Sequence, residues 1–392
     1  MEMSKRNTIA RFSVLILLLA SNAFAATNPI TFADTHVKLH PDVVYIKEGD
    51  ASGYKFHVVF TPYPPDTLEI PNLERSNDGE TWTATGITNP VINNTNAGLS
   101  NYSGRAWPFD SDPDLLYIRE YGKWFMIWGP RVSGSPGAPS GRTETLAFAY
   151  STNGLTWTQY AGTAINGNSN PQILSGTDSA GQAWETTSAR SHTQYPTCVY
   201  QSKWFTCWYG TTGGNAADSE DNGYTNQVSE IGMFKFQWDN VNNNIINFTR
   251  YASNPVLTLA KDASYWYGIG HIDVTILPDG QYMMIGCRLR LADSGEDIVW
   301  LTSPDGITWT NHGQLITIGS AGAWDDTKLY RSSTLHDGEG RAVILGGKLQ
   351  IMYSGFADAS TPQMGWWQPT LFGTTFSTTG NKKGTINSGT LR

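Results

Sequence analysis

The sequence predicts an all-β chain of five four-stranded antiparallel units closed into a ring, a five-bladed β-propeller. Three observations predict it: the composition, a turn motif that recurs at a fixed interval, and a strand pair that recurs five times. In the composition, only 15% of the 392 residues are charged and 12% are aromatic, while Gly and Pro number 40 and 19. Low charge, many rings and frequent turn formers suit strands and tight turns. They argue against a helical bundle, a coiled coil or a disordered chain.

The turn motif comes in three copies: Ser76-Asn-Asp-Gly-Glu-Thr-Trp82, Ser151-Thr-Asn-Gly-Leu-Thr-Trp157 and Ser303-Pro-Asp-Gly-Ile-Thr-Trp309. The first two start 75 residues apart and the last two 152 apart, so one copy is missing between them. Asp-Gly and Asn-Gly supply the positive φ of a tight hairpin. The Trp four residues after the Asp or Asn can fold back over the turn. Self-similarity at such a period marks a repeated β unit.

The strand pair sets the count at five. Pro41–Tyr45 precedes Gly53–Phe60, Pro113–Tyr117 precedes Gly122–Trp128, and Pro196–Tyr200 precedes Lys203–Tyr209. Ile272–Ile276 precedes Gly280–Ile285, and Arg331–Leu335 precedes Gly347–Tyr353. Units of about 73 residues have room for four strands each, and radial closure leaves few open sheet edges. Residues 26–392 are expected to form this single domain.

Residues 1–25 read as a secretory signal peptide: basic Lys5, Arg6 and Arg11, an apolar run from Phe12 to Ala20, and Ala23-Phe24-Ala25 as a small-x-small cleavage site. The run is shorter than the roughly 20 residues that span a bilayer. A secreted or periplasmic protein without membrane insertion is therefore expected. The formal charge of −8 becomes −10 without the leader, which disfavours nucleic acid as a partner. Of three cysteines, Cys198 and Cys207 face each other across a hairpin in which Tyr200 opposes Phe205. An oxidising compartment would permit a bridge. Two small buried thiols is the favoured reading.

In a propeller the starts of the first strands converge on one mouth of the channel. Those starts carry His40-Pro41-Asp42, Asp112-Pro113-Asp114, His192-Thr-Gln-Tyr195, His271-Ile272-Asp273 and Tyr330-Arg331. Converging carboxylates repel, and burial raises at least one pKa. One group can then stay protonated as general acid while another stays ionised. The competing reading is that these Asp residues cap strand ends and satisfy backbone donors. His271 beside Asp273 could bind an ion or a sugar hydroxyl. No His-Glu-x-x-His, Gly-x-Ser-x-Gly or phosphate-binding Gly loop occurs. No cofactor is required, although a structural calcium suits an oxygen-rich channel. Trp107, Trp266, Trp324, Trp366 and Trp367 lie in loops or at strand ends, where some could stack on sugar rings.

These repeats resemble the five-bladed propeller glycoside hydrolases, which include the arabinanase/xylosidase group (glycoside hydrolase family 43) and the invertase-like enzymes. The turns resemble sialidase Asp-boxes, which stabilise blades and carry no chemistry. The resemblance implies a general base at Asp42, where the family's usual His-Asp-Pro is replaced by His40-Pro41-Asp42, and an orienting acid-tuner at Asp114 in Pro113-Asp114-Leu115. The family's acid is a Glu followed closely by Pro on a later blade. No such Glu opens blade three or four, which leaves Asp273, Glu69 of Glu69-Ile70-Pro71, or Glu185. His40, Asp112, His192, His271 and Arg331 are the expected sugar-binding residues.

The leading expectation is a monomeric glycoside hydrolase acting on a polysaccharide or oligosaccharide. The alternatives are a polysaccharide lyase using His271, His192, Tyr330 and Arg331, and a non-catalytic glycan-binding propeller.

Overall fold

The computed structural model describes residues 28–33, 37–62, 69–92, 110–133, 142–176, 178–186, 193–213, 228–259, 262–265, 268–290, 295–357, 362–369, 371–372 and 375–376. The 1–25 leader, His192, Trp107 and Trp266 lie outside them. Blade one is β1 (Lys38–Tyr45), β2 (Phe56–Pro62) and β3 (Asn72–Ser76). Blade two is β4 (Asp110–Ile118), β5 (Lys123–Ser133), β6 (Arg142–Ser151) and β7 (Thr158–Gln159), with β8 (Gln172–Ser175) also on β6. A single turn of helix, α1 (Ala183–Thr186), leads to blade three: β9 (Gln194–Gln201), β10 (Trp204–Gly213), β11 (Val228–Asp239) and β12 (Asn244–Arg250), with β13 (Leu257–Leu259) also on β11. Blade four is β14 (Gly270–Ile276), β15 (Tyr282–Leu289), β16 (Glu296–Ser303) and β17 (Thr310–Ile316). In blade five β18 (Lys328–Thr334) is followed by a ribbon of β19 (Ile344–Leu345) and β20 (Lys348–Leu349), then by β21 (Ile351–Phe356) and β22 (Pro362–Trp367). A last ribbon pairs β23 (Leu371–Phe372) with β24 (Thr375–Phe376).

Five blades are present. Among the described residues blades two to four carry the expected four strands in sequence, whereas blades one and five have three. Blade one's outer strand shrinks to a bridge between Arg75 and Thr83. Blade five gains the other end of the chain at its edge: Ile30 N–H donates to the Met364 carbonyl, and the Asn28 side chain bonds both backbone groups of Trp366. The N-terminal segment thereby closes the ring. Apolar clusters fill the blade interfaces. Between blades one and five, for example, Val43, Val58 and Phe60 pack with Met352 and Trp366.

The repeated turns form as their residues dictate. Ser76, Ser151 and Ser303 accept the N–H of Gly79, Gly154 and Gly306 at 2.8–2.9 Å. Asp78, Asn153 and Asp305 each accept two further backbone N–H groups. Trp82 folds back onto the Gly79 carbonyl at 3.1 Å. At the missing copy, blade three uses a different turn, in which Asp239 accepts the N–H groups of Val241 and Asn242.

Two features shape the axis. The first is a bulge in every inner strand, seen as a register break at 39/42, 111/114, 194/197, 270/273 and 329/332. At it His40, Asp112, Tyr195 and His271 take left-handed φ values of 48–57°. The second is a plug. Between β18 and β19 the chain crosses under the axis, and the carbonyls of His336, Gly338, Glu339 and Gly340 accept the N–H groups of Tyr45, Tyr117, Tyr200 and Ile276 in turn, at 2.7–2.9 Å. These four amides lie at the ends of the inner strands of blades one to four. Gly338 and Gly340 have φ of +90° and +86°, and a Cβ would come within 2.7 Å of the Tyr117 carbonyl and 2.6 Å of Val199.

The hairpin pairs Tyr200 with Phe205 and Cys198 with Cys207, as the sequence implies. The two cysteines form a disulfide, which corrects the reading of free thiols. Directly opposed positions on neighbouring strands bring the two side chains within bonding reach. Cys287 is the free cysteine and is buried.

Candidate functional site at the channel axis

The bulges sort the inner-strand residues into two rings. The deeper ring is Asp42, Asp114, Thr197, Asp273 and Ser333. Each member accepts a backbone N–H from the next blade: Asp42 from Leu115, Asp114 from Cys198, Thr197 from Val274, Asp273 from Thr334, and Ser333 from Val43. The cycle closes on itself. The capping role weighed from the sequence is thus present at all three Asp residues. All three are almost wholly buried.

Electrostatics divides them. Burial would raise Asp42, but the His336 side chain from the plug and the bonds from Ser333 and Leu115 hold its carboxyl below the usual range. Burial, and then the charge of Asp42, pushes Asp273 up to about 7 and Asp114 well above the carboxylate range. The ligand oxygens of Asp42, Asp114 and Asp273 lie within 4.8 Å of one another, and they are the atoms a channel calcium would use.

Two residues earlier lies the upper ring: His40, Asp112, Tyr195, His271 and Arg331. His271 Nδ1 is 2.6 Å from Asp112 Oδ1, and Arg331 donates to the same oxygen at 3.0 Å. His40 Nε2 is 3.9 Å from that oxygen, and its ring stacks on His271 at 5.1 Å. Burial would raise Asp112, but His271, His40 and Arg331 hold it well below the usual range. Glu69 joins the ring, its Oε1 3.3 Å from His40 Nδ1, which also meets Thr61 Oγ1 at 2.6 Å. One nitrogen or oxygen from each of His40, Asp112 and His271 falls within 4.8 Å of the others. Two imidazoles and a carboxylate suit a divalent transition metal.

The structure therefore brings together every described residue singled out at the strand starts, but on two levels. Blade three contributes Tyr195 at the position of His40, Asp112 and His271. The signal was readable: His40, Asp112 and Tyr195 each immediately precede a proline. His336, Thr197 and Ser333 give no signal in the sequence: Thr197 and Ser333 stand where other blades carry Asp, and His336 belongs to no repeat. Glu185 is held elsewhere by Tyr209, Arg250 and the Gln182 amide. Trp366 and Trp367 are buried in blade five and offer no sugar platform, and Trp324 packs on Tyr353.

No protein-family model matches the chain. It is similar to an A type blood N-acetyl-alpha-D-galactosamine deacetylase from Flavonifractor plautii, with 25% identity over 340 residues. The match covers 80% of this chain and 39% of that protein, so the chain spans well under half of the relative's length. Its fold is that of the five-bladed propeller glycoside hydrolases. A family-43 glycoside hydrolase superposes with a TM-score of 0.54 at 10% identity, covering 94% of this chain and 99% of that one. An N-acetylgalactosamine deacetylase from F. plautii, in complex with blood group B trisaccharide, gives 0.53 at 20% identity, covering 86% and 92%. What these solved structures share with the chain is the fold.

Proposed function

We propose that the chain is an exported carbohydrate deacylase, which hydrolyses an acyl group, an acetyl in the first instance, from a sugar. The observation that carries this reading is the convergence of His40, Asp112 and His271, from three blades, on one point within 4.8 Å. The name of the Flavonifractor relative supports it. The Cys198–Cys207 bridge supports export, since disulfides persist in oxidising compartments.

His40, Asp112 and His271 would hold a divalent cation. Bound there, it would polarise the acyl carbonyl and acidify a water. Arg331 fixes the Asp112 carboxylate in place from the far side of the channel. Glu69, beside His40, would take the proton of the attacking water and return it to the leaving amine or alcohol. Water adds its oxygen to the acyl carbon, the C–N or C–O bond breaks, and acetate leaves with the freed sugar.

The test is acetate release from N- and O-acetylated glycans, with and without Mn²⁺ or Zn²⁺, alongside calorimetric cation binding. Wild-type protein should bind the cation and release acetate, and Asp112→Asn should lose both. New reducing ends without acetate would reject the reading.

That outcome would favour a second reading, glycoside hydrolysis through Asp42, Asp114 and Asp273. It is supported by the split between an ionised Asp42 and a raised Asp273, the pattern of a base beside an acid. Against it stands the use of all three carboxylates as acceptors for neighbouring blades.

A further inference from the structure

Tyr195 is the member of the upper ring with no task in the deacylase reading. It is a bulky residue at φ +57°, a strained conformation that persists only where the surroundings impose it. The same backbone twist turns His40, Asp112 and His271 into the axis, so blade three spends the device on a phenol. The Tyr195 ring lies 4.3 Å from the His271 ring, centroid to centroid. Two glycines make room for it. A Cβ on Gly210 would stand 2.9 Å from the ring, and one on Gly270 would stand 3.6 Å away. Tyr195 is half-buried, whereas His40 and Asp112 are closed off. Tyr330 packs on His271 as well, at 4.2 Å between ring centroids. Both phenol rings thus pack against His271, one of the three residues of the cluster.

We infer that Tyr195 is a further catalytic residue, whose O–H donates a hydrogen bond to the acyl oxygen as negative charge develops on it. No proton leaves the phenol. The inference rests on the deacylase reading and adds to it the group that stabilises the oxyanion. A donor held in position before the reaction acts chiefly on the transition state, so its removal lowers kcat more than it raises KM.

The experiment compares wild-type protein with Tyr195→Phe, Gly210→Ala and the double variant, each loaded with Mn²⁺, on an N-acetylated hexosamine glycan. Tyr195→Phe should lower kcat by about 10²–10³ with KM little changed. Mn²⁺ affinity and melting midpoint should stay at wild-type values. Phenylalanine fills the same slot, so a packing role alone predicts an unchanged kcat. Gly210→Ala should displace the ring and lower kcat, with the double variant no slower than Tyr195→Phe. Wild-type kcat in Tyr195→Phe, or a loss of Mn²⁺ affinity there, overturns the inference while the deacylase reading stands. Should Tyr195→Phe fail to fold, an unchanged kcat in Gly210→Ala overturns it. Wild-type protein that releases no acetate overturns both.

Discussion

Asp42 in the first blade accepts the backbone N–H of Leu115 in the second, and in the same plane Ser333 of the fifth blade donates to Asp42 and accepts from Val43. A carboxylate that could serve chemistry is therefore also a joint between three blades. Asp42→Asn keeps one acceptor oxygen and presents an amide donor to an N–H or a hydroxyl. A buried charge-assisted bond lost in this way costs about 2–4 kcal/mol. Urea unfolding should show a drop of that size. A midpoint equal to wild type would mean the cycle contributes nothing.

Blade one should contribute a part of the pH dependence of stability that favours the fold at higher pH. There Asp50 meets His57 at 3.1 Å and Arg75 at 2.9 Å. Burial would raise Asp50, but bonds from His57, the Tyr54 N–H and Arg75 hold it well below the usual range. Its stabilisation is present above the ordinary carboxylate pKa and is lost as pH falls toward the folded value. Burial lowers His57 despite Asp50, so it too stabilises the fold above its unfolded pKa, about 6.5, and loses that contribution on acidification. The raised carboxyls of Asp273 and Asp114 act in the opposite sense and favour the fold as pH falls, so the blade-one part is read as a difference between proteins. His57→Gln should make the slope of melting temperature against pH less positive between pH 5 and 7 than in wild type, and an unaltered slope would show that His57 contributes none of it.

Gly338→Ala tests the plug. Its φ of +90° and the 2.7 Å approach to the Tyr117 carbonyl leave no room for a methyl group. Strain and overpacking together should cost about 2–4 kcal/mol. Gly346, at φ +58° with nothing near its Cβ position, gives the control, where only the backbone term applies. Equal losses at the two sites would show that the plug makes no tight contact.

Thiol titration of the unfolded, unreduced protein should find one cysteine, Cys287, and reduction should raise the count to three. Replacing Cys198 and Cys207 together by Ala should lower stability by about 2–3 kcal/mol, the range expected for a short closed loop.

The fold was legible because its signals are local. The Ser-x-Asp-Gly turns and the Tyr200/Phe205 hairpin depend on residues within ten positions of one another. The site was half legible. Asp42, Asp114 and Asp273 stood out by matching one another, yet the bulge inserts a residue before each of them and turns His40, Asp112 and His271 into the upper ring instead. The inner strands are buried on both faces, so they carry no apolar–polar alternation for a bulge to interrupt. The plug was hidden for the same kind of reason: residues 336–342 bond to four separate blades and follow no period of their own. The disulfide depends on redox chemistry, on which spacing is silent.

The stretch from His336 to Gly340 works as a keystone. Its carbonyls hold the inner ends of four blades, so no one of those blades can swing free at the axis while the others stay pinned to an intact stretch. The amides of Tyr45, Tyr117, Tyr200 and Ile276, about 230 residues apart in sequence at the extremes, should then exchange with solvent hydrogen through one shared opening and with one free energy. A propeller is commonly pictured as blades that associate pairwise. At its centre this one is a wheel whose spokes are tied to a single hub.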